Sequence, residues 1–230
     1  MERKTPQEAA ASRETTDRLL DTAERLFGEH GYDRVGMRML AEAAKVNLGA
    51  ATYHFGSKQA LYVATIMRRL RPVNAERLRL LREAQAIARG RPLLVESIVE
   101  CMVRPPYLLG LEHPGFHTLL ARALFMPPPF LEDALRGEIE AINEVFVAAF
   151  RRSLGKVPVD LIHLRVIFSM GALLMFSVRM GKVRSQRHPR LDASLLQEVV
   201  RFIAAGLQSE PAVPPQEWPP NPRPTTLARR

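Results

Sequence analysis

Apolar side chains recur at helical spacing from about Thr15 onward, no stretch keeps the strict alternation of a strand, and prolines and glycines fall at helix-length intervals. These three observations predict an all-α fold. With 47% hydrophobic residues among 230, the chain has ample apolar surface for a packed core.

Leu19, Leu20, Ala23, Leu26 and Phe27 form one stripe, with Arg18, Asp21, Glu24 and Arg25 off it, which predicts the first helix. Gly31 ends that helix, because a left-handed residue after the last turn costs glycine little, and Tyr32 then folds back onto it. A short helix from about Met37 to Ala44, the turn Lys45-Val46-Asn47 and a second short helix from Leu48 to His54 come next. Asn47 is placed to cap the second, since its side-chain oxygen can accept from the exposed N–H groups of the first turn. Phe55-Gly56 breaks the chain and Ser57 caps a long fourth helix. Pro72 kinks or splits that helix, and the helical spacing of Leu78 and Leu81 beyond it favours the kink.

Prolines then mark helix starts: Pro92 before Leu93 to Arg104, Pro114 before Gly115 to Phe125, and Pro158 before Val159 to Met180. A helix from about Phe130 to Leu154 lies between the last two, and Asp192 caps a final one running to about Leu207. Residues 209–230 hold seven of the 18 prolines with almost no apolar periodicity, so a disordered tail is expected. The domain reading is a flexible arm over 1–12, a three-helix unit with its fourth-helix support over 13–73, a larger helical domain over 74–208, and the tail.

The formal charge is +9 and unevenly spread. Residues 1–33 carry five basic and eight acidic side chains, whereas 34–82 carry ten basic and two acidic, so cations concentrate around the two short helices. Such a block suits an acidic partner, because lysine and arginine can neutralise phosphates and release counterions. Cys101 is the sole cysteine, which excludes an intrachain disulfide framework and fits a reducing cytoplasm. The N-terminal residues lack the apolar stretch of a secretory signal. The longest apolar run, Val166 to Val178, is 13 residues, short for a bilayer span. No membrane partner is expected.

Residues 36–55 have the shape of a helix-turn-helix, with a small contact set of Leu40, Ala41, Ala44, Val46 and Ala51. The second helix of such a unit can lie in the DNA major groove while the first crosses the phosphate backbone. The run Val46-Asn47-Leu48-Gly49-Ala50-Ala51-Thr52-Tyr53-His54-Phe55-Gly56-Ser57-Lys58 resembles the recognition-helix signature of the TetR family of transcription regulators. Ala23-Glu24-Arg25-Leu26-Phe27 and Gly31-Tyr32 are similar to that family's first helix and its exit, and the resemblance runs from about Arg13 to Arg71. Gly36 departs from it, standing where the family usually has a Ser or Thr cap; the Tyr-His-Phe-Gly-Ser-Lys ending matches one branch.

The resemblance implies a repressor that binds a double-stranded, palindromic operator as a homodimer and answers to a small-molecule effector, with no enzymatic activity and no cofactor. Asn47, Leu48, Gly49, Ala50, Thr52 and Tyr53 are the candidates for base edges or nearby phosphates, and Arg38, Lys45, His54 and Lys58 for phosphates. Phe55 is expected in the core. Met102, Tyr107, Phe116, Leu120, Leu124 and Phe125 are candidate ligand-cavity residues, with core packing as the alternative. Arg104, Glu112 and Arg122 are charged groups that could orient a ligand or sit at the surface.

Phe146, Phe150, Met170, Gly171, Leu174 and Met175 are candidates for helix pairing between two copies, against an intrachain core. His113 and His117 lie four apart beside Glu112, but Pro114 separates their helix positions and no second ligand cluster appears, so no metal site is assigned. Nucleophile elbows, phosphate-binding loops and dinucleotide glycine motifs are all missing from the sequence, which leaves an effector-independent DNA-organising protein as the main alternative to a regulator.

Overall fold

A computed structural model describes residues 5–183 and 191–211, and those residues form nine α-helices with no strand among them. The helices are α1 (Pro6–His30), α2 (Met37–Ala43), α3 (Leu48–Phe55), α4 (Lys58–Ala88), α5 (Val95–Glu112), α6 (Pro114–Phe125), α7 (Leu131–Leu154), α8 (Val159–Val183) and α9 (Leu191–Gln208). Residues 212–230, most of the expected tail, and the Asp192 side chain lie outside the described residues.

Two boundaries differ from expectation, each for a local reason, and the reading of α4 as one helix agrees with the structure. Residues 6–12 are the opening turns of α1, because a capping box starts the helix early: Thr5 Oγ1 accepts from the Glu8 N–H at 3.3 Å, and the Glu8 carboxylate accepts from the Thr5 N–H at 2.8 Å. Helix α4 runs unsplit through Pro72. Helix α5 starts at Val95 and continues through Pro105 and Pro106 to Glu112, two turns past the expected end, its inward face being buried over that length.

Two cores organise the molecule. The first joins Leu20, Ala23, Leu26 and Phe27 of α1 to Leu40 of α2, Leu61, Tyr62 and Ile66 of α4, and Phe116, Leu119 and Ala123 of α6. Phe27 and Tyr62 meet edge to face with ring centroids 4.8 Å apart. The N-terminal helices therefore share apolar packing with α6 as well as with α4. Ion pairs fasten α1 to α4: Arg69 Nε donates to the Glu24 carboxylate at 3.0 Å, both side chains largely buried, and Arg68 pairs with Asp21.

The second core gathers Leu81 of α4, Val95, Ile98, Val99 and Met102 of α5, Ile142, Phe146 and Phe150 of α7, Ile162, Val166 and Leu173 of α8, and Ile203 and Leu207 of α9. Burial there pushes the Cys101 thiol up to about 11, which keeps it protonated and unreactive. The window Val159–Arg179 of α8 is apolar over 21 residues, with a mean hydropathy of 1.9, and so has the length and composition of a span, beyond the 13-residue run noted in the sequence. Its Ile162, Val166 and Leu173 are packed into the chain's own core.

Candidate nucleic-acid interface

The turn between α2 and α3 is set by three devices. Lys45 takes a left-handed backbone with φ of 55°, which reverses the chain within one residue. The Arg18 guanidinium on α1 donates to the carbonyls of Ala44 at 2.5 Å and Lys45 at 2.8 Å, so α1 grips the end of α2. Asn47 Oδ1 accepts from the Ala50 N–H at 2.6 Å, capping α3 as its sequence position implies. Beneath the turn, Leu19, Ala41, Ala44 and Ala51 form a small cluster whose short side chains let α3 nest against α2 and α1.

That nesting leaves one face of α3 outward. Asn47, Gly49 and Thr52 are exposed, with Leu48 at 41% and Tyr53 at 73% accessibility; Ala50 is half-buried. The Tyr53 ring is largely exposed and sits edge-on to His54 at 5.5 Å. Arg38 and Lys45 are exposed beside this face. His54 and Lys58 are turned inward instead. His54 Nδ1 lies 3.4 Å from Thr16 Oγ1, and Lys58 Nζ donates to the Tyr32 carbonyl at 3.2 Å while standing 4.0 Å over the Tyr32 ring. Phe55 is half-buried against both small apolar clusters.

The basic block counted in the sequence is only partly available to a partner. Arg68 and Arg69 pair with α1 carboxylates, Arg71 with Glu138 at 2.7 Å, Arg79 with Glu76 and Glu83, and Arg77 is buried. Arg34, in the loop before α2, is an exposed cation near this end that motif matching alone passed over.

Of the six apolar residues considered for a ligand cavity, Leu124 and Phe125 line one. Its volume is about 250 Å³, and its other walls are Leu70, Asn74 and Arg77 of α4, Ile139, Ile142 and Asn143 of α7, and Ile167, Met170, Gly171 and Leu174 of α8. Met102 is fully buried in the second core and Phe116 almost so in the first, because their helix faces meet neighbouring helices; Leu120 packs beside Phe116. Tyr107 borders a separate cleft of about 760 Å³ between α5 and α9 with Glu96, Glu100 and Arg104. Arg122 donates to the Glu29 carbonyl, and Glu112 is exposed. Arg77 and Asn74, missed in the sequence, lie three apart on the inward stripe that Leu70 and Leu81 also mark, and that spacing was the available signal.

The pairing candidates also need correction. Phe146 and Phe150 have no exposed surface and belong to the chain's own core, since α7 packs against both α5 and α8. Leu174 is buried, Met170 is half-buried under Arg77, and Gly171 borders the cavity. Met175 remains outward at 53%, and on the last two helices Leu164, Ile167 and Phe168 of α8 and Phe202 of α9 are among the other apolar residues exposed. His117 is buried, and among the described residues no three His, Cys, Asp or Glu side chains gather as a metal site.

Comparison with known proteins agrees with this layout. Residues 19–65 match the family model of bacterial regulatory proteins, tetR family, and residues 100–206 match that of the tetracyclin repressor-like C-terminal domain. The chain is 26% identical over 166 residues to the HTH-type transcriptional repressor KstR of Mycolicibacterium smegmatis, covering 69% of this chain and 73% of that protein. It is 41% identical over 58 residues to the repressor AcnR of Corynebacterium glutamicum, covering 24% of this chain and 31% of that one. Among solved structures, the TetR family regulator PfmR from Thermus thermophilus superposes with a TM-score of 0.59 at 19% identity, covering 90% of this chain and all of that one. With a helix-turn-helix held on α1 and α4 and both domain models matched in order, the chain belongs to the TetR family and is a DNA-binding transcription regulator.

Proposed function

We propose that this regulator is a cytoplasmic, ligand-responsive repressor that binds a palindromic operator as a homodimer. The observation that carries the DNA reading is the outward face of α3, where Asn47, Leu48, Thr52 and Tyr53 are exposed to solvent on a helix whose back is fixed by Ala51. Those side chains offer hydrogen bonds and apolar contacts suited to base edges, and Arg38, Lys45 and Arg34 flank them as phosphate partners. Two such helices related by a two-fold axis would sit about one DNA turn apart, ~34–36 Å.

The dimer contact is the outer face of α8 and α9. Leu164, Phe168 and Met175 recur at intervals of four and seven along α8, with Phe202 exposed on α9, a stripe that a second copy would cover. Ligand response follows from the helices that border the 250 Å³ cavity. Helix α4 begins immediately after α3 and carries cavity residues Leu70, Asn74 and Arg77 further along, while α6 packs on α1 and ends at Leu124 and Phe125. A ligand that favours one spacing of these helices shifts DNA affinity by its differential affinity for the two states. This built cavity favours the regulator over a DNA-organising protein without an effector. A footprint confined to one palindrome supports it; uniform coverage of DNA would favour the organiser.

Tyr53→Ala is expected to weaken operator binding by roughly 10- to 100-fold, with the association state and thermal stability unchanged. Normal operator affinity in that variant would remove α3 from the groove. Salt dependence separates the two kinds of cation. Lys45→Ala should lower the slope of log affinity against log salt by about one, whereas Arg68→Ala, whose guanidinium already pairs with Asp21, should leave it unchanged. Titrations at four or more salt concentrations read the difference, and equal slopes in both variants would contradict the assignment.

A further inference from the structure

Arg77 is 4% exposed, yet no carboxylate pairs with it among the described residues. One terminal nitrogen donates to Asn74 Oδ1 at 3.1 Å and the other to the thioether sulfur of Met170 at 3.7 Å; the guanidinium also lies 5.0 Å from the Phe146 ring centroid. Its Nε–H is buried with no acceptor. Burial lowers its pKa to about 10, so it stays charged at neutral pH. A desolvated cation held only by a neutral amide, a sulfur and a ring is strongly unfavourable unless an anion joins it. The side chain faces a cavity whose remaining walls are Leu, Ile, Phe, Met and Gly apart from the amides of Asn74 and Asn143.

We propose that this cavity takes a small amphipathic monocarboxylate, its carboxylate on Arg77 and its apolar body against Leu124, Ile139, Ile142 and Leu174. A planar guanidinium matches a carboxylate in two parallel N–H···O bonds, and the apolar lining disfavours larger, multiply charged anions. At ~30 Å³ per water-sized group, about 250 Å³ admits a body on the order of eight to ten non-hydrogen atoms. The proposal rests on the ligand-responsive reading for its regulatory consequence, though not for binding itself.

The test uses the full-length protein and three probes of equal chain length: octanoate, octanol and octylamine. Octanoate is expected to bind at least tenfold more tightly than either by calorimetry and to raise the midpoint of thermal unfolding. Arg77→Met, which keeps the length and drops the charge, should abolish that preference, and Arg77→Lys should keep part of it. Should the methionine variant fail to fold, the Nε–H resonance of Arg77 in the wild type supplies the answer, shifting with octanoate and not with octanol. Octanol binding as tightly as octanoate, no octanoate binding, or an unshifted Arg77 resonance would each overturn the proposal. Octanoate binding through Arg77 with unchanged operator affinity would uphold the site and refute the ligand-responsive reading.

Discussion

Phe168→Glu is expected to split the proposed homodimer and, with it, to remove specific operator binding. Phe168 is 64% exposed on α8 and makes no part of either core, so the folded chain should tolerate the change. At a two-fold contact the substitution enters twice, placing carboxylates against Leu164, Met175 and Phe202 of the opposite copy if the stripe is the interface. An unpaired charge in such a setting outweighs the ~1.5–3 kcal/mol gained by burying one phenylalanine, so dimer affinity should fall at least ~100-fold. Losing the partner head also forfeits the effective-concentration advantage of two linked sites, roughly 10² to 10⁴ in operator affinity. Sedimentation equilibrium reads the first effect and mobility shift on a palindrome the second, with circular dichroism as the check on folding. A variant that stays dimeric would move the interface off this face.

The N-terminal unit was legible because its determinants are local. Asn47 caps α3 from the position the sequence gives it, Ala41, Ala44 and Ala51 are small because helices must approach there, and Gly31 ends α1 where the stripe stops. Farther along, the residues that matter are chosen by contacts between distant segments. Phe146 and Phe150 read equally well as an outward seam or an inward layer, since periodicity gives a face without saying what covers it. The packing of α7 against both α5 and α8 decides for the inward layer, and Leu164, Phe168 and Phe202 are among the apolar residues left outward on α8 and α9. Arg77 sat in a run of arginines that counts as surface charge by sequence; its spacing from Leu70, Asn74 and Leu81 was the one sequence signal, and the fold sets it apart from Arg68, Arg69, Arg71 and Arg79, which find carboxylates.

Gly110→Ala should destabilise the protein, although alanine ordinarily improves a helix by roughly 0.5–1 kcal/mol over glycine. Gly110 lies on α5 where a Cβ would clash with Cε1 and Nδ1 of the His117 ring on α6, and that ring is 2% exposed. Overpacking of this kind costs about 1–3 kcal/mol. In a His117→Ala background the same Gly110→Ala change should become neutral or stabilising, a coupling of similar size by denaturant unfolding.

The buried imidazole adds a pH signature. Desolvation lowers His117 to about 4, below the ordinary value of 6.5, so the unfolded chain takes up a proton that the folded chain refuses. Stability is therefore undiminished by this group above pH 6.5 and falls as the pH drops toward 4, by about 3 kcal/mol across that window. His117→Leu should flatten that part of the profile. A Gly110→Ala protein as stable as wild type, or a wild-type profile no steeper than that of His117→Leu, would show that α5 and α6 do not meet this way.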